Sequence, residues 1–229
     1  MATTFRHALR TFVAPSLPIP PEQYTRLRFD TFNNVLRLYF NQIDSTVGAM
    51  IGGTGGSYLS FPYAAVQRTT DFNFVTANTP TRVTFNQNDF LNGCANPGTA
   101  AGRNGIQVDY TGIYNYQFSV QFANTDSQAH AAFIWLKVNG TDYAGTGSKF
   151  DVPSKHGASD GYLIAACNFY VSLDPSDTVE LWAAATQVEN GVTDGVYMEA
   201  YAANAAGFTM PAIPSVVATL TYVSTQPTA

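Results

Sequence analysis

The sequence predicts a mainly β protein: a C-terminal jelly-roll β-sandwich preceded by one N-terminal α-helix and an extended arm. Three observations carry that reading. Downstream of residue 60, about nine or ten short strand patterns follow one another, parted by turn signals and with no helical period among them. Upstream, Pro21 to Met50 is the one long helical pattern. Between the two lies Gly52-Gly53-Thr54-Gly55-Gly56-Ser57, a composition in which regular structure is not expected. The expected organisation is an arm over 1–20, a helix over 21–50, a hinge over 51–60 and a β-head over 61–229.

The arm carries Arg6, His7 and Arg10 with no acid, and it lacks a continuous apolar run of signal-peptide length. That composition has some likeness to an organellar transit peptide. The stiff SLPIPP that leads straight into the helix favours an anchoring arm instead, with Arg6, His7 and Arg10 as its anchoring residues. In the helix, Phe29, Phe32, Leu36, Tyr39, Ile43, Thr46 and Met50 are spaced three and four apart, a heptad seam. Pro21 suits a first-turn position, Glu22 complements the helix N-terminus, and Gly48 stands where a stop is expected. Leu27, Val35, Leu38 and Phe40 widen the apolar surface beyond the seam. Such a helix must be covered, either by the β-structure or by sister copies around a symmetry axis. Its terminal place and flexible tether favour sister copies.

In the head, Phe61 to Val66, Thr81 to Phe85 and Ile106 to Tyr110 are short strand candidates, with an Asn- and Gly-rich loop expected over 86–105. Tyr114, Tyr116, Phe118, Val120 and Phe122 alternate with polar residues, giving the clearest period of two in the chain. Ala131 to Val138 is apolar on both sides and ends in Asn139-Gly140, the pair that a tight primed turn needs. Gly161 to Leu173 and Thr178 to Ala185 flank Asp174-Pro175-Ser176-Asp177, a turn with proline at its favoured position. Val196 to Tyr201 and Ser215 to Val223 complete the set.

Charged residues make up only 12% of the chain and aromatic ones 14%, which suits either a surface consumed by assembly or a large β-core. The net charge of −5 divides unevenly, +3 over residues 1–40 and −8 over the rest. A mildly acidic body argues against nucleic-acid binding. No segment is long and apolar enough to insert in a membrane as a helix. Cys94 and Cys167 are the only cysteines; a disulfide is open, and two buried thiols are favoured.

No catalytic constellation stands out, so neither an enzyme nor a cofactor or metal is expected. His7, His130 and His156 are scattered, and His156 lies near Ser154, Ser159 and Asp160 without a nucleophile elbow. Asp174 and Asp177 read as turn residues, and GGTGG lacks the Lys-Ser/Thr of a phosphate loop. Asp151, Asp160 and Asp194 could furnish calcium oxygens, but no ligand spacing supports it. Asn139-Gly140-Thr141 fits the glycosylation pattern but falls in a tight turn.

GIQVDYTGIYNYQFSVQF, WLKVNGT, VSLDPSDTVEL and VVATLTYV, in that order over roughly residues 105–223, resemble strands of the tumour necrosis factor and complement-head jelly-roll superfamily. The resemblance implies a homotrimer with aromatic faces on the axis. Tyr114, Tyr116, Phe133, Trp135 and Tyr201 are then trimerisation candidates, and ordinary core positions explain each equally well.

PSLPIPPEQYTRLRFDTFNNVLRLYFNQID, FPYAAVQRTTDF and DVPSKHGASDGYLIAACNFYVSL are similar to segments of virion structural proteins of tailed phages, particularly those infecting marine bacteria such as cyanobacteria. This second resemblance implies location in a virion. The expected partners are tail or capsid subunits and, through loops near Tyr143, His156 and Tyr197, a host surface glycan or protein. The expected role is a trimeric tail or head fibre; a capsid decoration protein and, less favoured, a glycan-depolymerising spike are the alternatives.

Overall fold

The computed structural model describes residues 15–16, 23, 25–51, 61–99, 102–204 and 207–225. The chain divides into two units, Met1–Ser60 and Phe61–Ala229.

In the first unit, helix α1 spans Arg26–Ile51. It begins later than Pro21 suggests: the Phe29 amide donates to the Thr25 carbonyl at 3.2 Å, so Thr25 is the capping residue. No acid lies in its first turn, and Pro21 and Glu22 lie outside the described residues. Gly48 is an interior position, not a stop; one glycine costs about 1 kcal/mol in a helix and does not end it without an αL cap. Phe32, Leu36, Tyr39, Ile43 and Thr46 on the seam, with Val35, are its half-buried positions. Phe29, the first seam residue, is exposed, as are Leu27, Leu38 and Phe40. Arg6, His7, Arg10, the Met50 side chain and the hinge over 52–60 lie outside the described residues.

The second unit is built from thirteen described strands: β1 (Tyr63–Arg68), β2 (Thr81–Arg82), β3 (Gln87–Asn92), β4 (Cys94–Ala95), β5 (Ile106–Val108), β6 (Gly112–Asn124), β7 (His130–Val138), β8 (Thr141–Asp142), β9 (Ser148–Val152), β10 (Gly161–Leu173), β11 (Thr178–Ala185), β12 (Val196–Met198) and β13 (Val216–Ser224). They form two antiparallel sheets. The first runs β10-β6-β13-β1-β3, with β12 also on β6; the second runs β4-β5-β11-β7-β8, with β2 on β11 and β9 on β7. From β5 to β7 the chain changes sheet at each strand, and it does so again from β9 to β12, after which β13 stays in the first sheet. The last strand returns to lie between β1 and β6. That is the strand order of a jelly roll.

The alternation in β6 places Tyr114, Tyr116, Phe118, Val120 and Phe122 between the sheets, against Ile134, Leu136, Leu181 and Ala183 from the second sheet. Asn139 and Gly140 both take positive φ and close the β7–β8 hairpin. Ser176 takes φ 74° behind Pro175, where a type II turn demands it, and the Asp177 amide closes the turn on the Asp174 carbonyl. The two turns are clamped together: Asn139 Nδ2 donates to Asp177 Oδ1, and the Thr178 amide donates to Asn139 Oδ1.

Two expectations need correction. The segment over 86–105 is not one loop but holds β3 and β4, and β9 was not expected at all. Both β3 and β9 are edge pieces; β3 carries no apolar alternation, and β9 alternates exposed Lys149 and Asp151 with Phe150 and Val152 over only five residues, too short a run to stand out. Cys94 and Cys167 are free thiols, half-buried on opposite sheets. Burial, reinforced by Asp109, pushes the Cys94 thiol up to about 12, so it stays protonated at neutral pH.

Candidate interaction surface

The two sheets present outer faces of opposite character. In β10, Tyr162, Ile164, Ala166, Asn168 and Tyr170 point away from the core, as the period of two requires. Behind them β6 offers Asn115, Gln117, Ser119, Gln121 and Ala123; then come Val217, Thr219 and Thr221 of β13, and Tyr63, Ala65 and Gln67 of β1. No formal charge lies on that outer face across the four strands. The two margins are apolar. Ile164 is 66% and Tyr170 64% exposed on β10, and Phe90 of β3 is 64% exposed at the far margin, near Tyr63 and Phe61. Over thirteen residues β10 pairs with β6 alone, so its other edge is unpaired.

The outer face of the second sheet is laced with charge. Trp135 and Trp182 lie directly opposite each other on β7 and β11. The Trp135 indole donates to Asp142 Oδ1 and the Trp182 indole to Glu180 Oε2, both at 2.8 Å. The Lys137 ammonium pairs with Asp142 and sits 4.3 Å from the centre of the Trp182 ring. Hydrogen bonds from Trp135 and Lys137 hold the Asp142 carboxyl below its usual range.

Of the sequence-predicted trimerisation residues, Tyr114 and Tyr116 do not belong to a surface. Both are fully buried in the core, so neither can touch another copy. The same alternation that made them conspicuous aims them inward. Phe133 and Trp135 are on the outer face of the second sheet, away from the uncharged one. Tyr201 is at the first sheet's edge, its hydroxyl 2.9 Å from that of Tyr162. The residues that sequence reasoning missed are Tyr162, Ile164 and Tyr170; their spacing was visible inside DVPSKHGASDGYLIAACNFYVSL, but not which parity faced outward.

The register also sorts the loops by end. Residues 61–63 and 221–224 lie at one end of the first sheet, while connections 125–129, 153–160, 186–195 and 199–215 gather at the other. Exposed His156 sits in a tight turn closed on Ser159 at that far end. Tyr143 is not a free surface group: its hydroxyl accepts from the Ser172 amide. Asp151 and Asp194 are in ion pairs with Lys149 and Lys155. The described His, Cys, Asp and Glu residues include no group of three or more placed to hold a metal.

No protein-family model matches the chain, and no curated protein does. Among solved structures it is similar to the globular domain of zebrafish complement 1qA protein, at 12% identity, over 72% of this chain and 99% of that one, with a TM-score of 0.38.

Proposed function

We propose that this chain is a non-enzymatic structural subunit of a phage particle, a fibre whose N-terminal arm attaches it and whose β-head forms a trimer. The phage assignment rests only on the resemblance of segments in the arm, helix and head to virion proteins. The trimer is supported above all by the outer face of β10, β6, β13 and β1, on which no formal charge lies. A long unpaired edge strand with exposed Ile164 and Tyr170 is a liability unless something covers it. The apolar patch at the opposite margin, Phe61, Tyr63 and Phe90, is the complementary half of a head-to-tail contact, and such contacts close into a ring when the rotation permits. The heptad seam of α1 supplies a second site at which copies meet. The loops gathered far from the point of chain entry then face outward, available to a host surface.

Light scattering on the purified chain at micromolar concentration tests the assembly. The expected mass is that of a trimer, and Ile164→Lys in the head is expected to weaken association by placing three charges in the contacts. A monomeric wild-type chain overturns the trimer.

A further inference from the structure

One titratable group on the first sheet is enclosed in a way that its neighbours do not explain. β12 continues along β6 beyond the end of β13, so Tyr162, Ala123 and Tyr197 stand in one row on the outer face. Two residues further, the Glu199 amide donates to the Gln121 carbonyl and carries its side chain to the same face. Tyr197 donates its hydroxyl to Glu199 Oε1 at 2.9 Å, while Oε2 is buried and, among the described residues, has no partner at hydrogen-bond distance. The remaining neighbours are Tyr201 with its partner Tyr162, and two further acids, Asp160 and Asp71. Asp71 accepts the Ala200 amide at 2.8 Å. Arg68, the cation beside Asp71, is spent on the Asp71 carbonyl, on Thr84 and on the face of Phe72.

We propose that Glu199 is a proton-operated latch: protonated, its carboxyl fastens β12 and the described residues that follow it, 199–204 and 207–213, onto the first sheet, and ionised, it loosens them. The geometry gives the direction. An ionised carboxylate there is half desolvated, faces two other acids and has one oxygen without a donor; a neutral carboxyl removes the repulsion and brings a proton of its own. Burial is the largest cause that raises the Glu199 carboxyl above its usual range; Asp160 and Asp71 add to it, and the Tyr197 hydrogen bond and, after it, the Tyr201 hydroxyl oppose it. The sign follows. The folded state holds the proton more tightly than the unfolded chain, so the latch is complete below the ordinary glutamate range and is lost as pH rises through the folded-state value. Beyond those contacts, the described part of the segment is held by the reciprocal Tyr201–Ile213 amide pair, the two Asn204–Met210 bonds and the Gly207 amide on the Asn204 carbonyl.

The test is amide hydrogen exchange over 199–213 and urea unfolding, at one protein concentration, for wild type and Glu199→Gln between pH 5 and pH 8. After correction for intrinsic exchange, wild-type protection in 199–213 is expected to fall several-fold across that range, and its unfolding midpoint to fall with it. Glu199→Gln, neutral at every pH, is expected to keep the acid-state protection throughout. If wild type and variant change in parallel, the latch is wrong. Should the variant fold poorly, carboxyl carbon NMR of wild type decides alone. Titration of Glu199 above the ordinary glutamate value sustains the proposal, and titration at or below it overturns the proposal.

Discussion

Tyr114 and Tyr116 show how two residues of one kind, two positions apart, come to differ. Both are fully buried and face the core from β6. The Tyr114 hydroxyl donates to the Tyr110 carbonyl at 2.7 Å and its ring meets Tyr222 edge-on. The Tyr116 hydroxyl is buried with no hydrogen-bond partner among the described residues. Burial raises the ionisation range of both phenols, so both stay neutral at physiological pH. A buried hydroxyl without a partner carries its desolvation penalty uncompensated. Tyr116→Phe is therefore expected to leave stability unchanged or raise it by up to about 1 kcal/mol. Tyr114→Phe is expected to cost about 1 kcal/mol, since it orphans the Tyr110 carbonyl. Urea unfolding midpoints of the two variants measure the contrast, and equal effects would contradict it.

At the scale of elements, α1 and β6 obey different periods and answer to different neighbours. Leu36 is mid-seam on the helix, where three copies would bring three introduced carboxylates together. Phe118 is at the centre of β6, 4% exposed and in contact with the Phe169 ring. Leu36→Asp is expected to lose helical circular dichroism and keep the β signal, because the unit beginning at Phe61 has its own core. Phe118→Asp is expected to yield insoluble protein, since an unpaired charge enters that core. If both variants lose the β signal, the helix is part of the head's own core.

For the whole molecule, the proposal separates attachment from the head. Arg6 and Arg10, with His7 beside them, belong to a proline-containing segment, 1–20, whose charge is opposite in sign to that of the acidic remainder. Deleting residues 1–20 is expected to abolish incorporation into particles and leave a folded, soluble head. Particles that carry the truncated chain in normal amounts, measured by gel densitometry, would move attachment to the helix or the head.

The sequence by itself determined the class of fold and much of its framework. Patterns with a strong local period, such as Gly161–Leu173, Thr178–Ala185 and the Asn139-Gly140 turn, coincide with the structure because alternation and turn chemistry act within a few residues. Only tertiary structure decided which face of each strand met the core. β10 has apolar residues at both parities, Tyr162, Ile164 and Tyr170 outward and Leu163, Phe169 and Val171 inward, so its period alone leaves the buried side undetermined. Register with β6 settles it, carrying Tyr114 and Tyr116 inside and leaving an uncharged face outside. The Glu199 cluster was illegible for a related reason. Its members, Asp71, Asp160, Tyr162, Tyr197 and Tyr201, come from segments far apart in the chain, and pairing of β6 with both β10 and β12 brings them together.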